Sequence, residues 1–226
     1  MKVLIPSSTI RGAGLKIFDN EPGDLGQPGA PLEIRFHLID GSVEPFVQTD
    51  GASAVRLLEK IEPQRLFNNT RLIVADEYSK TVFVPAQVNR VDFIQAQYDC
   101  WHFPGGFSDM VELTEAEFRE RAFLDDPARA EERDQPRPVG DLLVSFIELL
   151  FVGNTRVFVM VEGLVKLPTE SHTFMNFLLS KRGAQVRLRS GGVAVLNLAN
   201  LVRYSVYPGV KELPEDTWLL SRGSTS

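Results

Sequence analysis

From Leu32 to Leu38 the chain alternates. Leu32, Ile34, Phe36 and Leu38 fall on one side, and Glu33, Arg35 and His37 on the other. A period of two places successive side chains on opposite faces of an extended chain, so this run predicts a half-buried strand. Asp40-Gly41 supplies a turn, and Ser42 to Val47 resume extended character, which together predict a hairpin. The pattern then changes period. Val55, Leu58 and Ile61 stand three apart, which predicts a short helix over Ala52 to Ile61 with Pro63 as its stop. Two β-like runs, Thr70 to Val74 and Lys80 to Pro85, come next, with Val88, Val91 and Phe93 after them.

A similar order returns later in the chain. Arg156 to Gly163 and Leu164 to Pro168 read as a hairpin, Thr173 to Leu179 as a helix, and Gln185 to Arg189 and Val193 to Leu196 as strands. Asp40-Gly41-Ser42-Val43 matches Glu162-Gly163-Leu164-Val165. Val82-Phe83-Val84 with Asn89 matches Val193-Ala194-Val195 with Asn200, and an insertion near Glu62 to Thr70 reconciles the spacings. Such self-similarity is the mark of an internal repeat, although acid-Gly turns and Val-x-Val strands also recur by chance in β-rich chains. Leu142 to Val152 fits either period and is read as a strand.

The expected fold is therefore mainly β with a few short helices: two small, strongly bent sheets or barrels, possible products of duplication. Residues 1–94 form the first β domain, with a loop-rich arm at 1–31. Residues 95–140 are a connector, and 141–226 a second β domain with a C-terminal tail. In the connector, Thr114-Glu115-Ala116-Glu117 has the form of a capping box and opens a short exposed helix through Leu124, and Pro127 to Gly140 reads as a linker.

Gly163-x-Val165-x-Leu167-Pro168, Thr173 to Leu178 and Val193-x-Val195-x-Asn197 resemble a pattern of uncharacterised bacterial small β-barrel domains of Sm-like type, best over residues 156–206. The resemblance implies a small binding or assembly barrel. It brings no catalytic residues. The net acidity departs from the RNA-binding members of that broad class.

Composition narrows the function classes. Of 226 residues, 43% are hydrophobic and 24% charged, ordinary values for a chain with a packed core. Cys100 is the only cysteine, so neither an intramolecular disulfide nor a cysteine-cluster zinc site is available, and a reducing, cytoplasmic setting is expected. The start, Met1 to Pro6, is too short for a signal-peptide core, and Leu142 to Val152 falls short of the ~20 apolar residues that span a bilayer. Net charge is −6, and it resides in the connector: residues 95–140 carry 11 acidic and 5 basic side chains, against 12 and 10 before and 7 and 9 after. With neither flank strongly basic, a dedicated nucleic-acid binder is not expected.

Candidate chemistry is sparse. His37, His102 and His172 show no metal-ligand spacing, and His37 is read as a structural residue on the polar side of its strand. Cys100 and His102 invite a nucleophile reading, but Tyr98, Trp101, Phe103 and Phe107 around them fit an aromatic anchor better. The glycine-rich runs Gly12 to Gly14 and Gly23 to Pro31 lack the spacing of phosphate loops. No catalytic set, metal site or cofactor motif emerges.

The strongest constellation is electrostatic. Between Ser171 and Arg203 there is no acidic residue, while Lys181, Arg182, Arg187 and Arg189 stand close together, with Arg187 and Arg189 on one face of a predicted strand. Three roles fit: a solvated face, a site for a small anion or acidic partner, or a seat for the acidic connector of the same or a neighbouring chain. The functional expectation is a non-enzymatic interaction or assembly protein that associates with itself or a protein partner. The alternative is a regulatory module binding a small anion or nucleotide on these basic residues. Insertion into a membrane is not expected.

Overall fold

The computed structural model describes residues 31–95, 110–123, 142–164, 180–207 and 218. The N-terminal arm and its glycine-rich runs, the Tyr98 to Phe107 anchor with Cys100 and His102, the Pro127 to Gly140 linker, and the helix expected at Thr173 to Leu179 with His172 lie outside the described residues.

The structure is mainly β. The first alternating run is β1 (Leu32–Leu38), which returns as β2 (Val43–Gln48) after the Asp40-Gly41 turn. Helix α1 (Gly51–Lys60) opens where Asp50 accepts the Ser53 amide at 2.9 Å, buries Ala54 and Leu58, and stops short of Pro63. A 3-10 turn, Pro63–Asn68, leads into the hairpin of β3 (Leu72–Ala75) and β4 (Lys80–Phe83). A second 3-10 turn, Pro85–Gln87, then feeds β5 (Val88–Ile94).

The connector contributes two elements. One is β6 (Met110–Leu113), which the polar and acidic surroundings hid from the sequence pattern. The other is α2 (Glu115–Arg121), where the Thr114 hydroxyl and the Glu117 carboxylate cap each other's backbone amides as the motif predicts. This helix is not simply exposed, because Phe118 is buried among Phe146, Phe158 and Tyr207.

Leu142 to Val152 is a strand, β7 (Leu142–Phe151), joined by a Gly153-containing turn to β8 (Arg156–Leu164). β9 (Gly183–Arg187), β10 (Val193–Asn197), a 3-10 turn at Leu198–Asn200 and β11 (Leu201–Tyr207) complete the described chain. Among the described residues no helix is long and apolar enough to cross a membrane.

The expected pair of separate sheets or barrels is not what forms. Nine strands make one mixed sheet in the order β11-β7-β8-β6-β9-β10-β5-β1-β2, and only β3-β4 stand apart. The sheet ends at β11 and β2 rather than closing. Its two halves join because β10 pairs antiparallel with β5, and both strands are buried on both faces. Val193, Val195, Val91 and Phe93 enter one core, with Phe36, Leu58 and Phe83. Ala194, Leu196 and Ile94 enter the other, with Ile147, Val159 and Val186. Such strands are buried only if covered on both sides and paired along both edges, which a free-standing half cannot provide.

The halves do repeat, but in a different register from the one the sequence suggests. Leu38 faces Val88 as Phe151 faces Leu201, and Phe36 faces Glu44 as Leu149 faces Val157. Each of these second-half residues lies 113 positions after its counterpart (151 − 38 and 201 − 88). The 3-10 turns at Pro85–Gln87 and Leu198–Asn200 keep the same offset (198 − 85). The counterpart of the Asp40-Gly41 turn is thus the turn at Gly153, whereas Glu162-Gly163 lies inside β8, and no insertion near Glu62 to Thr70 is needed between these elements. The identity of short motifs misled because hairpin geometry accepts many sequences.

Candidate functional site

The feature that most distinguishes this chain is the seam between its halves. Along it, the β5–β10 ladder sets Val193 opposite Phe93, Ala194 opposite Asp92, Val195 opposite Val91 and Leu196 opposite Arg90. Just beyond, the 3-10 turns of the two halves meet. Asn197 donates from Nδ2 to the carbonyls of Pro85 and Val88, both at 2.9 Å, and Asn200 donates to the carbonyls of Ala86 and Val88. Asn89 in turn donates to the Val152 carbonyl at 2.8 Å. These buried amides satisfy carbonyls that the turns leave without ladder partners, where an orphaned group would cost about 1–3 kcal/mol.

A charged cluster sits beside the seam. On β5, Arg90 and Asp92 share a face, and Arg90 holds Asp92 through Nε and Nη2 at 2.8 and 2.9 Å. His37 Nε2 lies 2.8 Å from the other flank of Asp92, at Oδ2. The Arg90 Nη1 reaches Glu112 of β6 at 2.6 Å. β10 and β9 stand between β5 and β6, a separation of about 14 Å in a flat sheet, so this contact requires the sheet to coil strongly.

Electrostatics hold Asp92 and Arg90 charged. Burial alone would push the Asp92 carboxyl up, but the hydrogen bonds and charges of His37 and Arg90 outweigh it and hold Asp92 below the usual carboxylate range. For Arg90, burial works against the charge and is outweighed by Asp92 and Glu112, so its pKa is raised. His37 is thereby placed in the hydrogen-bonded network of Asp92 and Arg90, and no hydroxyl or thiol among the described residues hydrogen-bonds it. The arrangement is a brace: Arg90 is engaged by two carboxylates, and each group binds another protein group.

The four basic residues of the sequence reading do not form one cluster. Lys181 and Arg182 precede β9 and Arg187 ends it, a run of five residues or about 17 Å along the strand. Arg182 and Arg187 are exposed, and Lys181 is half-buried. Arg189 is not on the strand; it lies in the turn to β10, where its guanidinium pairs with Glu117 of α2. Here, and where Val111 of β6 pairs with Arg187, the connector does lie against the basic segment. The Arg189 and Glu117 groups are both substantially solvated, so replacing Arg189 with alanine is expected to change unfolding free energy by at most about 1 kcal/mol. Urea denaturation at low and high salt would check this, and a loss several times larger would contradict it.

Arg90, Asp92 and Glu112 escaped the sequence reading; Asn197 entered only in the family-like pattern Val193-x-Val195-x-Asn197, and Asn89 and Asn200 only as part of the repeat match. A signal was present: Arg90 and Asp92 interrupt an otherwise apolar run at a period of two, and His37 and Arg35 do the same on β1. What was missing was the pairing that brings these interruptions together. No protein-family model, no curated protein and no solved structure matches this chain, so its function must be argued from the geometry just described.

Proposed function

We propose that this chain is a non-enzymatic interaction and assembly protein, built as a tandem of two small β units, that works by pairing strand edges with a protein partner. The observation that carries the reading is the distribution of exposed apolar side chains, which concentrate on outer strands. Ile73, Val82 and Val84 are exposed on and beside the β3–β4 hairpin, and Val202 and Tyr204 on β11. Strand edges with apolar neighbours bind other strands through main-chain hydrogen bonds, with the side chains setting register.

β2 likewise exposes Val43 and Val47, but its outer edge is different. Pro45 stands in its middle and removes a main-chain donor, a common protection against unwanted pairing. The single Cys100 suits a reducing, cytoplasmic setting. The basic residues favour no separate anion-binding role, since they divide between the two ends of β9 and Arg189 already has a carboxylate partner.

Light scattering on the purified full chain, combined with identification of co-purifying proteins, tests the proposal. The expected result is a mass above one chain, or a stoichiometric partner. A strict monomer at ~100 µM with no partner would overturn it.

A further inference from the structure

Resting on that reading, we propose that the partner is a second copy of the chain, joined head to tail, with β11 of one copy pairing antiparallel with β4 of the next. The argument comes from the 113-residue offset. The seam inside the chain pairs β5 with β10. By that offset β5 corresponds to β11 and β10 to β4. The tandem therefore uses one half-to-half junction internally and leaves the two complementary edges of the same junction at its ends, with no strand partner among the described residues. A surface that mates with its equivalent inside one chain can do so between chains, and because the two edges differ, the contact is heterologous and can propagate.

Exposure at equivalent positions supports this. In the internal seam Val195 and Val91 face each other and are 0% and 1% exposed; their counterparts Val82 and Tyr204 are 47% and 37% exposed. Asn197 and Asn89 are each 1% exposed in the seam, and their counterparts Val84 and Val202 are 56% and 63% exposed. Apolar groups occupy the exposed edges where polar ones would face water without cost. Applying the offset to the seam register places Val82 opposite Tyr204, Thr81 opposite Ser205 and Phe83 opposite Arg203 of the adjoining copy.

The copy-to-copy junction is weaker than the internal one, for a reason visible in the residues. Asn197 and Asn200, which bind the neighbouring turn inside the chain, are replaced at the free edge by Val84 and Gln87. Of the two, Gln87 alone keeps an amide donor. Assembly between copies is therefore reversible with concentration, while the internal seam is permanent.

Two measurements test the geometry separately from the broader reading. In a Cys100→Ser background, Thr81→Cys with Ser205→Cys is expected to give a ladder of disulfide-linked dimers, trimers and larger species on oxidation, and neither single variant a ladder. Covalent dimers from Ser205→Cys alone would indicate a two-fold β11–β11 contact and overturn the proposal, as would the absence of any ladder from the double variant.

Second, Val82→Lys and Tyr204→Lys change exposed positions and each leave one edge intact. Each variant alone is expected to be monomeric by light scattering, and their equimolar mixture to form dimers that grow no further. A mixture that stays monomeric overturns the head-to-tail contact. A wild-type chain that is monomeric but captures a different protein in stoichiometric amount would also overturn it, while leaving the interaction reading intact.

Discussion

Replacing Asp92 with alanine is expected to lower the unfolding free energy at pH 7 by about 3–5 kcal/mol, the usual consequence of removing one member of a buried ion pair. Asp92 is nearly inaccessible and accepts from both His37 and Arg90. Its loss leaves Arg90 with Glu112 alone. At about 2–4 °C per kcal/mol for a chain of this size, the midpoint of thermal unfolding should fall by roughly 10 °C.

The pH dependence carries its own sign. Because the folded chain holds Asp92 below the ordinary carboxylate range, the stabilisation is fully present above about pH 4 and is lost as pH falls through the depressed folded value. The gap between wild type and Asp92→Ala should therefore narrow as pH falls below about 4. Urea titrations at pH 7, 4 and 3 measure it. A gap that widens with acid would show that the brace around Asp92 is not what stabilises the seam.

Gly153→Ala is expected to cost roughly 3 kcal/mol or more and to act on the packing of the halves together. Gly153 has φ of 77°, and a Cβ built there would lie 1.6 Å from the carbonyl oxygen of Ile39, at the end of the β1 run. Backbone cannot yield as a flexible side chain would, so the β7–β8 turn must lift away from β1. Gly41 provides the control. Its φ is 87°, also left-handed, but a Cβ there meets nothing within 4 Å. Gly41→Ala should therefore cost only the left-handed penalty, about 1–2 kcal/mol. Comparing the two by denaturant unfolding separates backbone strain from contact between halves, and equal losses would argue that the Gly153–Ile39 approach contributes little.

Much of the local structure was legible in the chain itself. Strict alternation from Leu32 to Leu38, the i, i+3 apolar pattern of Val55, Leu58 and Ile61, and the Thr114–Glu117 capping box each determine their element through local geometry and solvation, without reference to distant residues. The acidic character of the connector was equally plain, and one of its carboxylates, Glu117, does meet the basic segment at Arg189.

The tertiary structure alone decided how those elements combine. A strand's sequence states which of its faces is buried, but not which strand lies along its edge, because main-chain donors and acceptors are the same in every residue but proline. Val193 to Leu196 read as a strand in isolation. Only pairing with Val91 to Phe93 explains why both of its faces are apolar, and only that pairing turns two expected barrels into one coiled sheet. In the same way Arg90, Asp92, His37 and Glu112 are ordinary charges along the chain. They become a brace because coiling closes the three-strand separation between Arg90 and Glu112 to 2.6 Å. Local periodicity determines the elements, and the edges, which carry no local signature, determine the assembly.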